Sequence, residues 1–252
     1  MILSHSYRFI FICSSKVGTT SMEQILQPFQ EGAEYDFGIQ GLFPAKHVPA
    51  AMLRAALPES VWRDYFKFVF VRNPWDWFVS QWFYNRPSQG EHFREPVAAA
   101  RLPRAPTWRG QRRKAALQPD VPDAAGSDRH PTDPEVLDRS QVDALFQLLV
   151  PFRGLPGREG CYQSNWMYDM NGELIVDYIG RYETLDYDFA EICRRIGINV
   201  QLPHLNRTVH RDYRSYYTDA SRTRVEELWE VDVANFRYTF DGPCSDHLGS
   251  VR

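Results

Sequence analysis

Short apolar runs alternate with polar segments along the chain, and two of these runs have the composition of buried strands. Residues 9–12 read FIFI and residues 66–71 read FKFVFV. Aromatic and β-branched residues in continuous runs of this kind suit strands that are covered on both faces. Residues 174–179 follow an Asn-Gly turn and are predicted to form a third strand.

A helix is predicted directly after each of the first two strands. In the first unit Pro28 is expected to end the helix near Gln27, and the apolar positions with helical spacing are Met22, Ile25, Leu26 and Phe29. In the second unit Asn73 is the predicted N-cap and Pro74 the first helical residue. Its apolar stripe consists of Trp75, Phe78, Val79 and Trp82. The chain therefore repeats a strand-turn-helix unit.

Further elements are predicted from capping residues and from alternation. Residues 50–57 lie between two prolines and are predicted to be helical. Ser140 and Asp219 are the predicted N-caps of two later helices, and Gly197 is predicted to end a helix over residues 184–196. Apolar residues at positions 35, 37 and 39 predict a short strand.

The segment from residue 86 to residue 135 has a different composition. It contains eight of the 17 prolines, few large aliphatic residues and no periodicity. We interpret it as a solvated insertion, because structureless connections of this length are uncommon inside compact domains. Docking of a polyanionic acceptor or of nucleic acid is an alternative, supported by a basic cluster of Arg101, Arg104, Arg109, Arg112, Arg113 and Lys114 around Trp108.

A turn rich in hydroxyl groups and small residues joins the first strand to its helix. Residues 14–21 read SSKVGTTS. Backbone N–H groups at a helix N-terminus, with hydroxyl groups and a lysine beside them, are typical of a site for an anion such as phosphate. An ordinary strand-to-helix turn with a surface lysine is the alternative.

The turn after the second strand offers a second site for an anion. Arg72 lies at the carboxyl end of that strand, where open parallel sheets bind ligands. Asn73, Asp76 and Ser80 share one face of the following helix, and Ser80 lies about 10–12 Å along the axis from Arg72. An extended arginine and this hydroxyl group can converge on one phosphate, although a serine on a helix is more often solvated.

His47 precedes the helix that is predicted over residues 50–57. The dipole at a helix N-terminus disfavours a protonated imidazole, so a histidine there tends to be neutral and able to accept a proton. A histidine that only bonds a neighbouring carbonyl group is the alternative.

Composition limits the class of protein. The 252 residues suffice for one α/β domain, and the net charge of −3 argues against a protein that coats nucleic acid. The four cysteines have no metal-ligand spacing, so we expect no metal site and a reducing compartment. No stretch approaches the ~20 apolar residues that span a bilayer, which predicts a soluble, cytoplasmic protein.

The two strand-turn-helix units together resemble the sulfotransferases. The first unit carries Lys-x-Gly-Thr-Thr-Ser at residues 16–21, and the second carries Arg-Asn-Pro-Trp-x-x-x-x-Ser at residues 72–80. The later segments GRYETL and LPHLN, with residues 232–240, look like the Golgi-type carbohydrate sulfotransferases and their bacterial relatives. The resemblance covers most of residues 8–85 and 160–240.

This resemblance implies a fold and a co-substrate. The implied fold is α/β, with a P-loop-like parallel sheet flanked by helices, in a single domain over residues 1–252 that carries the insertion. In the family the first loop holds the 5′-phosphosulfate of PAPS, 3′-phosphoadenosine 5′-phosphosulfate, and the second loop holds its 3′-phosphate. The implied binding residues are Ser15, Lys16, Val17, Gly18, Thr19, Thr20, Ser21, Arg72 and Ser80, with Arg181 and Tyr182 beside the adenosine half.

The resemblance also implies catalytic roles. Lys16 would offset the charge on the leaving group as the S–O bond breaks. A hydroxyl acceptor needs a base, and His47 is the predicted base because some carbohydrate O-sulfotransferases have a histidine at the corresponding place. Glu23 and other acids stay open as alternatives. The expected partner is a small-molecule or glycan acceptor, with a carbohydrate favoured by the resemblance, and neither metal nor nucleic acid is expected.

Two other classes of protein are alternatives to this interpretation. A P-loop kinase needs G-x-x-x-x-G-K-[ST] and an acidic residue for magnesium, whereas Lys16 here precedes Gly18 and Arg72 ends the second strand. A non-catalytic module that binds nucleotides or polyanions is the other alternative. The presence of both Lys16 and His47 argues against it.

Overall fold

A five-stranded sheet forms the centre of the protein. The computed structural model describes residues 1–31, 47–85, 136–153, 162–202, 211–244 and 248–251. The strands lie in the order β1-β2-β3-β4-β7, and their bounds are β1 Ile2–Ser4, β2 Phe9–Ile12, β3 Phe66–Val71, β4 Tyr178–Arg181 and β7 Gly249–Ser250. A separate two-stranded ribbon pairs β5 Tyr238–Thr239 with β6 Gly242–Pro243.

The three inner strands are parallel, and the two edge strands are antiparallel to them. β2 pairs with β3 from Phe9 opposite Phe66, and β3 pairs with β4 up to Val71 opposite Arg181. All four residues of β2 are completely buried, as the continuous apolar run predicts. The α/β prediction is confirmed, but β1 and β7 leave no signal in the sequence because each is too short to show a period.

Eight α-helices lie in the described part of the chain. Their bounds are α1 Thr19–Leu26, α2 Ala50–Ala56, α3 Glu59–Asp64, α4 Pro74–Asn85, α5 Arg139–Arg153, α6 Leu185–Ile196, α7 Asp219–Leu228 and α8 Glu230–Asn235. Short 3₁₀ turns occupy Gln27–Phe29, Gln163–Trp166 and Tyr213–Tyr216.

Most helix ends follow the predicted capping residues. The side chain of Asn73 accepts a hydrogen bond from the Trp75 N–H at 3.0 Å, and Pro74 is the first residue of α4. Gly197 ends α6 in the left-handed conformation, with φ of 74°. These caps were predictable because they act within a single turn of chain.

Two predicted N-caps are wrong by one or two residues. Asp138, not Ser140, caps α5, because its carboxylate accepts from the Gln141 N–H at 2.9 Å. Thr218, not Asp219, caps α7, and its hydroxyl oxygen accepts from the Ser221 N–H at 3.1 Å. Each capping residue lies directly before the first helical residue, and from this position a side chain can reach back to the N–H groups of the first turn.

The bounds predicted for the third strand are also wrong. Residues 178–181 form β4, whereas residues 174–177 precede the strand and are not part of it. The predicted strand ends at Ile179, so Gly180 is expected to follow it. In the structure a Cβ atom at Gly180 would lie 2.3 Å from the Phe70 ring, so this glycine permits close packing of two paired strands.

Two predictions concern residues outside the described ranges. These are the short strand at positions 35–39 and the insertion at residues 86–135. They stay predictions, as does the extent of the single domain.

A buried polar network ties the carboxyl-terminal helices to the end of β3. The side-chain amide of Gln163 accepts from the Arg72 N–H and donates to the Arg72 carbonyl, both at 2.8 Å. Asp232, completely buried on α8, accepts from the Gln163 N–H at 2.6 Å and from the Ser164 N–H at 2.9 Å. The main chain at Arg72 is therefore fixed from behind by residues far away in sequence.

Replacement of Asp232 by asparagine should destabilise the fold in a pH-dependent way. The variant has one carboxamide oxygen for donors that now share two carboxylate oxygens, and leaving a buried donor unpaired costs about 1–3 kcal/mol. Burial raises the pKa of Asp232 to about 6, whereas an exposed aspartate has a pKa of about 3.9. The protonated form of Asp232 therefore stabilises the fold. This stabilisation is greatest below the unfolded-state pKa of about 3.9, and it is lost as pH rises through the folded-state pKa of about 6.

Urea unfolding between pH 4.5 and 7.5 measures this effect. The difference in unfolding free energy between the wild type and Asp232→Asn should shrink as pH rises towards about 6 and then level off. Asp219→Asn, at an exposed position on α7, is the control and should cost less than about 0.5 kcal/mol. A cost of Asp232→Asn that grows with pH would contradict the assignment.

Candidate active site

The carboxyl ends of the three parallel strands meet at one edge of the sheet. Residues 13–18, called the first loop below, leave β2 at this edge. Arg72 and Asn73, the second loop, leave β3 there, and Tyr182 leaves β4. The parallel register therefore places the two predicted anion sites side by side.

Bonds to α1 and to β3 hold the first loop in a defined shape. Lys16 and Gly18 have left-handed φ values of 64° and 78°. Ser14 donates its hydroxyl to the Phe70 carbonyl at 2.7 Å, and Thr19 donates its hydroxyl to the Ser14 carbonyl at 2.5 Å. No side chain caps the N-terminus of α1, and the N–H groups of the first turn of a helix are groups to which an anion can bind.

The remaining residues predicted to bind through this loop differ in exposure. Val17 is completely buried, so its contact with a ligand stays a prediction. Ser15 is half-buried, Thr20 is exposed and Ser21 is buried. Because Thr19 already donates its hydroxyl hydrogen within the loop, the exposed Thr20 is better placed to donate to an anion.

Arg72 connects the second loop to the first. Its guanidinium makes a bidentate ion pair with Asp76 at 2.7 and 2.8 Å, and its Nη1 donates to the Lys16 carbonyl at 3.1 Å. The ring of Tyr182 covers it, 4.1 Å from Cζ to the ring centroid. These bonds use one N–H on each terminal nitrogen, so each retains one N–H with no partner in the described part of the chain.

Gly18 packs directly against the turn that follows β4. A Cβ atom at this position would lie 2.9 Å from Cδ2 of Leu185 and 3.5 Å from the Tyr182 ring. Glycine is therefore needed both for the positive φ and for the close approach. Tyr182 in turn touches Arg72, so the ends of all three parallel strands are in contact.

His47 lies at the start of the first loop. Its Nδ1 is 2.7 Å from the carbonyl oxygen of Cys13. A carbonyl oxygen can only accept, so Nδ1 carries the hydrogen, and in the neutral ring the basic lone pair is on Nε2. Trp166 packs edge-on against the imidazole, with ring centroids 6.0 Å apart. The structure thus brings the predicted base to the loop that carries Lys16.

The other candidate proton acceptors near His47 have different surroundings. Burial raises the pKa of the Cys13 thiol to about 12, so this thiol stays protonated and unreactive at neutral pH. Glu23, the alternative base, is half-buried on α1, and its charge contributes to the raised pKa of Cys13. Glu23 therefore lies on the Cys13 side of α1.

The ammonium group of Lys16 lies against an aromatic residue at the end of α4. Its Nζ is 4.4 Å from the centroid of the Tyr84 ring, which is a cation–π distance. Tyr84 is 67% exposed. Ser80 lies one turn earlier on α4 and is half-buried. Tyr84 was not identified from the sequence, where its only signal is an aromatic residue one turn after Ser80.

Arg181 lies inside the protein. Its side chain is completely buried, and its Nη2 donates to the Phe236 carbonyl at 2.8 Å. Its Nε and Nη1 have no hydrogen-bond partner among the described residues. The guanidinium faces the ring of Tyr238, whose hydroxyl donates to Glu183 at 2.8 Å, and Glu183 accepts from the Asn73 N–H at 2.6 Å. Arg181 thus supports the second loop indirectly, and its contact with adenosine stays a prediction.

Several residues that shape this site were not assigned from the sequence. The four-residue spacing of Arg72 and Asp76 on a helix could have revealed their ion pair. Gln163 lies 91 positions from its partner Arg72, and Trp77 appears in the sequence only as one of several apolar residues of α4. Long-range partners of this kind have no local signature.

The residue ranges that the structure describes hold neither a metal centre nor a membrane-spanning helix. No group of three histidine, cysteine, aspartate or glutamate side chains there is arranged to hold a metal ion. No helix in the same ranges is sufficiently long and apolar to cross a membrane.

The fold and this edge define an α/β protein that can hold phosphate-type anions between two adjacent loops. Residues 1–125, about half of the chain, match the model of the sulfotransferase family. The chain belongs to that family, whose members transfer sulfuryl groups. The match spans both loops and His47, and it confirms the resemblance to sulfotransferases; the Golgi-type branch stays a prediction. No curated protein and no solved structure matches the chain.

Replacement of Gly18 by alanine should impair both the fold and anion binding. The positive φ alone costs about 1–2 kcal/mol for a non-glycine residue, and the new methyl group would displace Leu185. Gly197→Ala is the matched control, because its φ is 74° but no atom lies within 4 Å of its Cβ position.

Urea unfolding and calorimetric titration with pyrophosphate separate these effects. Both variants should lose stability, whereas only Gly18→Ala should lose pyrophosphate affinity, by about fivefold or more. Equal affinities in the two variants would exclude a binding role for the close approach at Gly18.

Proposed function

We propose that the protein transfers the sulfuryl group of PAPS to a hydroxyl group of a carbohydrate. The observation that carries this proposal is the contact between the two loops, in which Arg72 donates to the Lys16 carbonyl at 3.1 Å. The Arg72 guanidinium is therefore adjacent to the first loop, which contains Lys16 and backbone N–H groups. A ligand that binds to both the guanidinium and the loop needs two anionic groups. The 3′-phosphate and the 5′-phosphosulfate of PAPS supply such a pair.

Each end of the nucleotide has a proposed set of ligands. Arg72 binds the 3′-phosphate through its two remaining N–H groups, with the Ser80 hydroxyl as a further donor. The first loop and the N-terminus of α1 bind the 5′-phosphosulfate through backbone N–H groups and the hydroxyls of Thr20 and Ser21. Tyr182, whose ring covers the Arg72 guanidinium, is the proposed contact for the adenosine half.

The proposed reaction is an in-line displacement at sulfur. The acceptor oxygen forms a bond to sulfur while its proton passes to Nε2 of His47, and the bond between sulfur and the bridging phosphate oxygen breaks. Lys16 stabilises the negative charge that develops on this oxygen, since an ammonium is a compact point charge. The products are a sulfate ester and adenosine 3′,5′-bisphosphate, and no metal takes part.

The carbohydrate acceptor is inferred from the resemblance to carbohydrate sulfotransferases and from the histidine base, which suits a hydroxyl nucleophile. Incubation with labelled PAPS and a panel of oligosaccharides, phenols and amines tests it. Label on sugar hydroxyls supports the proposal, and label on phenols or amines alone contradicts its carbohydrate part. The absence of label on every acceptor class would contradict the proposed transfer.

Adenosine 3′,5′-bisphosphate should protect the fold, whereas ATP with Mg²⁺ should not. A ligand at one hundred times its dissociation constant adds about 2.7 kcal/mol of stability. This corresponds to a rise in melting temperature of roughly 5–11 °C for a chain of this size. Thermal unfolding with each nucleotide measures the effect, and protection by ATP–Mg²⁺ alone would favour a kinase.

Arg72→Ala should weaken this protection, and Arg195→Ala is its matched control. Arg195 resembles Arg72 in its contacts. It forms an ion pair with Glu191, four residues away, at 2.8 Å, and its Cζ lies 5.2 Å from the centroid of the Tyr178 ring. Losing charge-assisted bonds to a phosphate should raise the dissociation constant by about tenfold or more in Arg72→Ala. The dissociation constant should be unchanged in Arg195→Ala.

Lys16→Ala and His47→Gln should abolish most turnover without abolishing nucleotide binding. Loss of charge stabilisation at the leaving group lowers kcat by about 10²-fold or more, and loss of the base by a similar factor. His5→Gln is the control, because His5 also makes a side-chain hydrogen bond, to Tyr65 at 2.7 Å, in the turn before β2. Initial rates and bisphosphate titrations measure both quantities; near-normal turnover in His47→Gln would move the base to another residue.

A further inference from the structure

Two buried residues of α4 hold the first loop from the side of the second unit. The indole N–H of Trp77 donates to the Ser15 carbonyl at 2.9 Å, and the side-chain amide of Gln81 donates to the Ser15 hydroxyl at 3.2 Å. Both side chains are only 1% exposed. Trp77 and Gln81 lie four residues apart, so they share a face of α4 that is directed at the loop.

The residue next to these bonds is Lys16, whose backbone is strained. Its φ of 64° lies in the left-handed region, which costs a non-glycine residue energy and persists only when neighbouring contacts enforce it. The carbonyl before it, that of Ser15, is held by Trp77, and its own carbonyl is held by Arg72. The two peptide groups that flank Lys16 are thus each fixed by a side chain of the second unit.

The direction of the Lys16 side chain follows from these two peptide groups. A Cα–Cβ bond has a fixed orientation relative to its own backbone, so a rotation of the Ser15–Lys16 peptide would move the ammonium group. Trp77 does not have to touch a ligand to have this effect, since it is almost completely buried.

We propose that Trp77, assisted by Gln81, is a positioning residue that sets the orientation of Lys16 for catalysis. This inference rests on the proposed role of Lys16 in sulfuryl transfer. The proposal gives the indole N–H of Trp77 a function of its own. A phenyl ring at this position could also pack in the core, but it could not donate a hydrogen bond to the Ser15 carbonyl.

The same helix contains a matched control. Trp75 is also 1% exposed, and its indole N–H donates to a backbone carbonyl at the same distance of 2.9 Å. Its acceptor is Arg222 on α7, away from the first loop. Trp75→Phe and Trp77→Phe therefore remove the same type of hydrogen bond and the same volume from one helix, and they differ in what the bond holds.

Hydrogen exchange followed by mass spectrometry tests the structural part of the inference without any activity. We expect Trp77→Phe to accelerate exchange of the peptide that covers residues 13–20 by about fivefold or more, because local opening becomes easier. Trp75→Phe should leave this peptide unchanged while lowering the melting temperature by a similar amount. Equal exchange of the peptide in both variants would overturn the inference.

Kinetics test the catalytic part. We expect kcat to fall by about tenfold or more in Trp77→Phe, since small misplacements of a catalytic group have large effects. The dissociation constant of adenosine 3′,5′-bisphosphate should change by less than about threefold. Gln81→Leu, which removes only the second bond, should show a smaller decrease in the same direction, and Trp75→Phe should show none.

The outcomes separate this inference from the proposed function. Turnover in the wild type, with equal kcat values in Trp75→Phe and Trp77→Phe, overturns the positioning role and leaves sulfuryl transfer intact. No turnover in the wild type on any acceptor contradicts the proposed function. The hydrogen-exchange comparison then still decides whether Trp77 holds the loop.

Discussion

The carbonyl groups of the first loop have to be bonded to the protein before its N–H groups can face an anion. Three successive carbonyls meet this requirement, and each has a different side-chain donor: the Thr19 hydroxyl for Ser14, the Trp77 indole for Ser15 and the Arg72 guanidinium for Lys16. Two of these donors come from the second strand-turn-helix unit. The anion site of the first unit is therefore not an autonomous loop, because its shape depends on the docking of the second.

The charges at this edge are arranged so that it stays stable without a ligand. Arg72 is almost completely buried, and Asp76 compensates its charge through a bidentate ion pair with little solvent access on either side. The ammonium group of Lys16 lies against the Tyr84 ring, and a cation–π contact at an exposed site contributes only about 0.5–1 kcal/mol. A phosphate can thus add to Arg72 without displacing Asp76, and the ammonium group can leave the ring at low cost.

Local signals accounted for the elements and for the position of the site. FIFI, FKFVFV, the Asn73-Pro74 cap and Gly197 each act within a few residues, so the strands and helices around both loops could be predicted. Their parallel order then places the loops at one edge. The partners Gln163, Asp232, Glu183 and Arg222 could not be predicted, because each bonds a residue that lies 69 to 147 positions away in the sequence. Gly180 shows the same limit, because glycine is needed there to make room for the Phe70 ring on the neighbouring strand.

The register of the sheet fixes the distance between the two loops, so the site would fit only a ligand whose two anionic groups have a matching separation. β2 and β3 are adjacent and in fixed register, from Phe9 opposite Phe66 to Ile12 opposite Val69, so the two loops begin at set positions. Arg72 and Trp77 then close the remaining gap by direct bonds. Under the proposed function, a ligand with one phosphate would use only half of this arrangement. A nucleotide with anions at both ends would be held by a single preformed unit, without the entropic cost of ordering two independent loops. The proposed selectivity for such a nucleotide would then follow from the register of the strands.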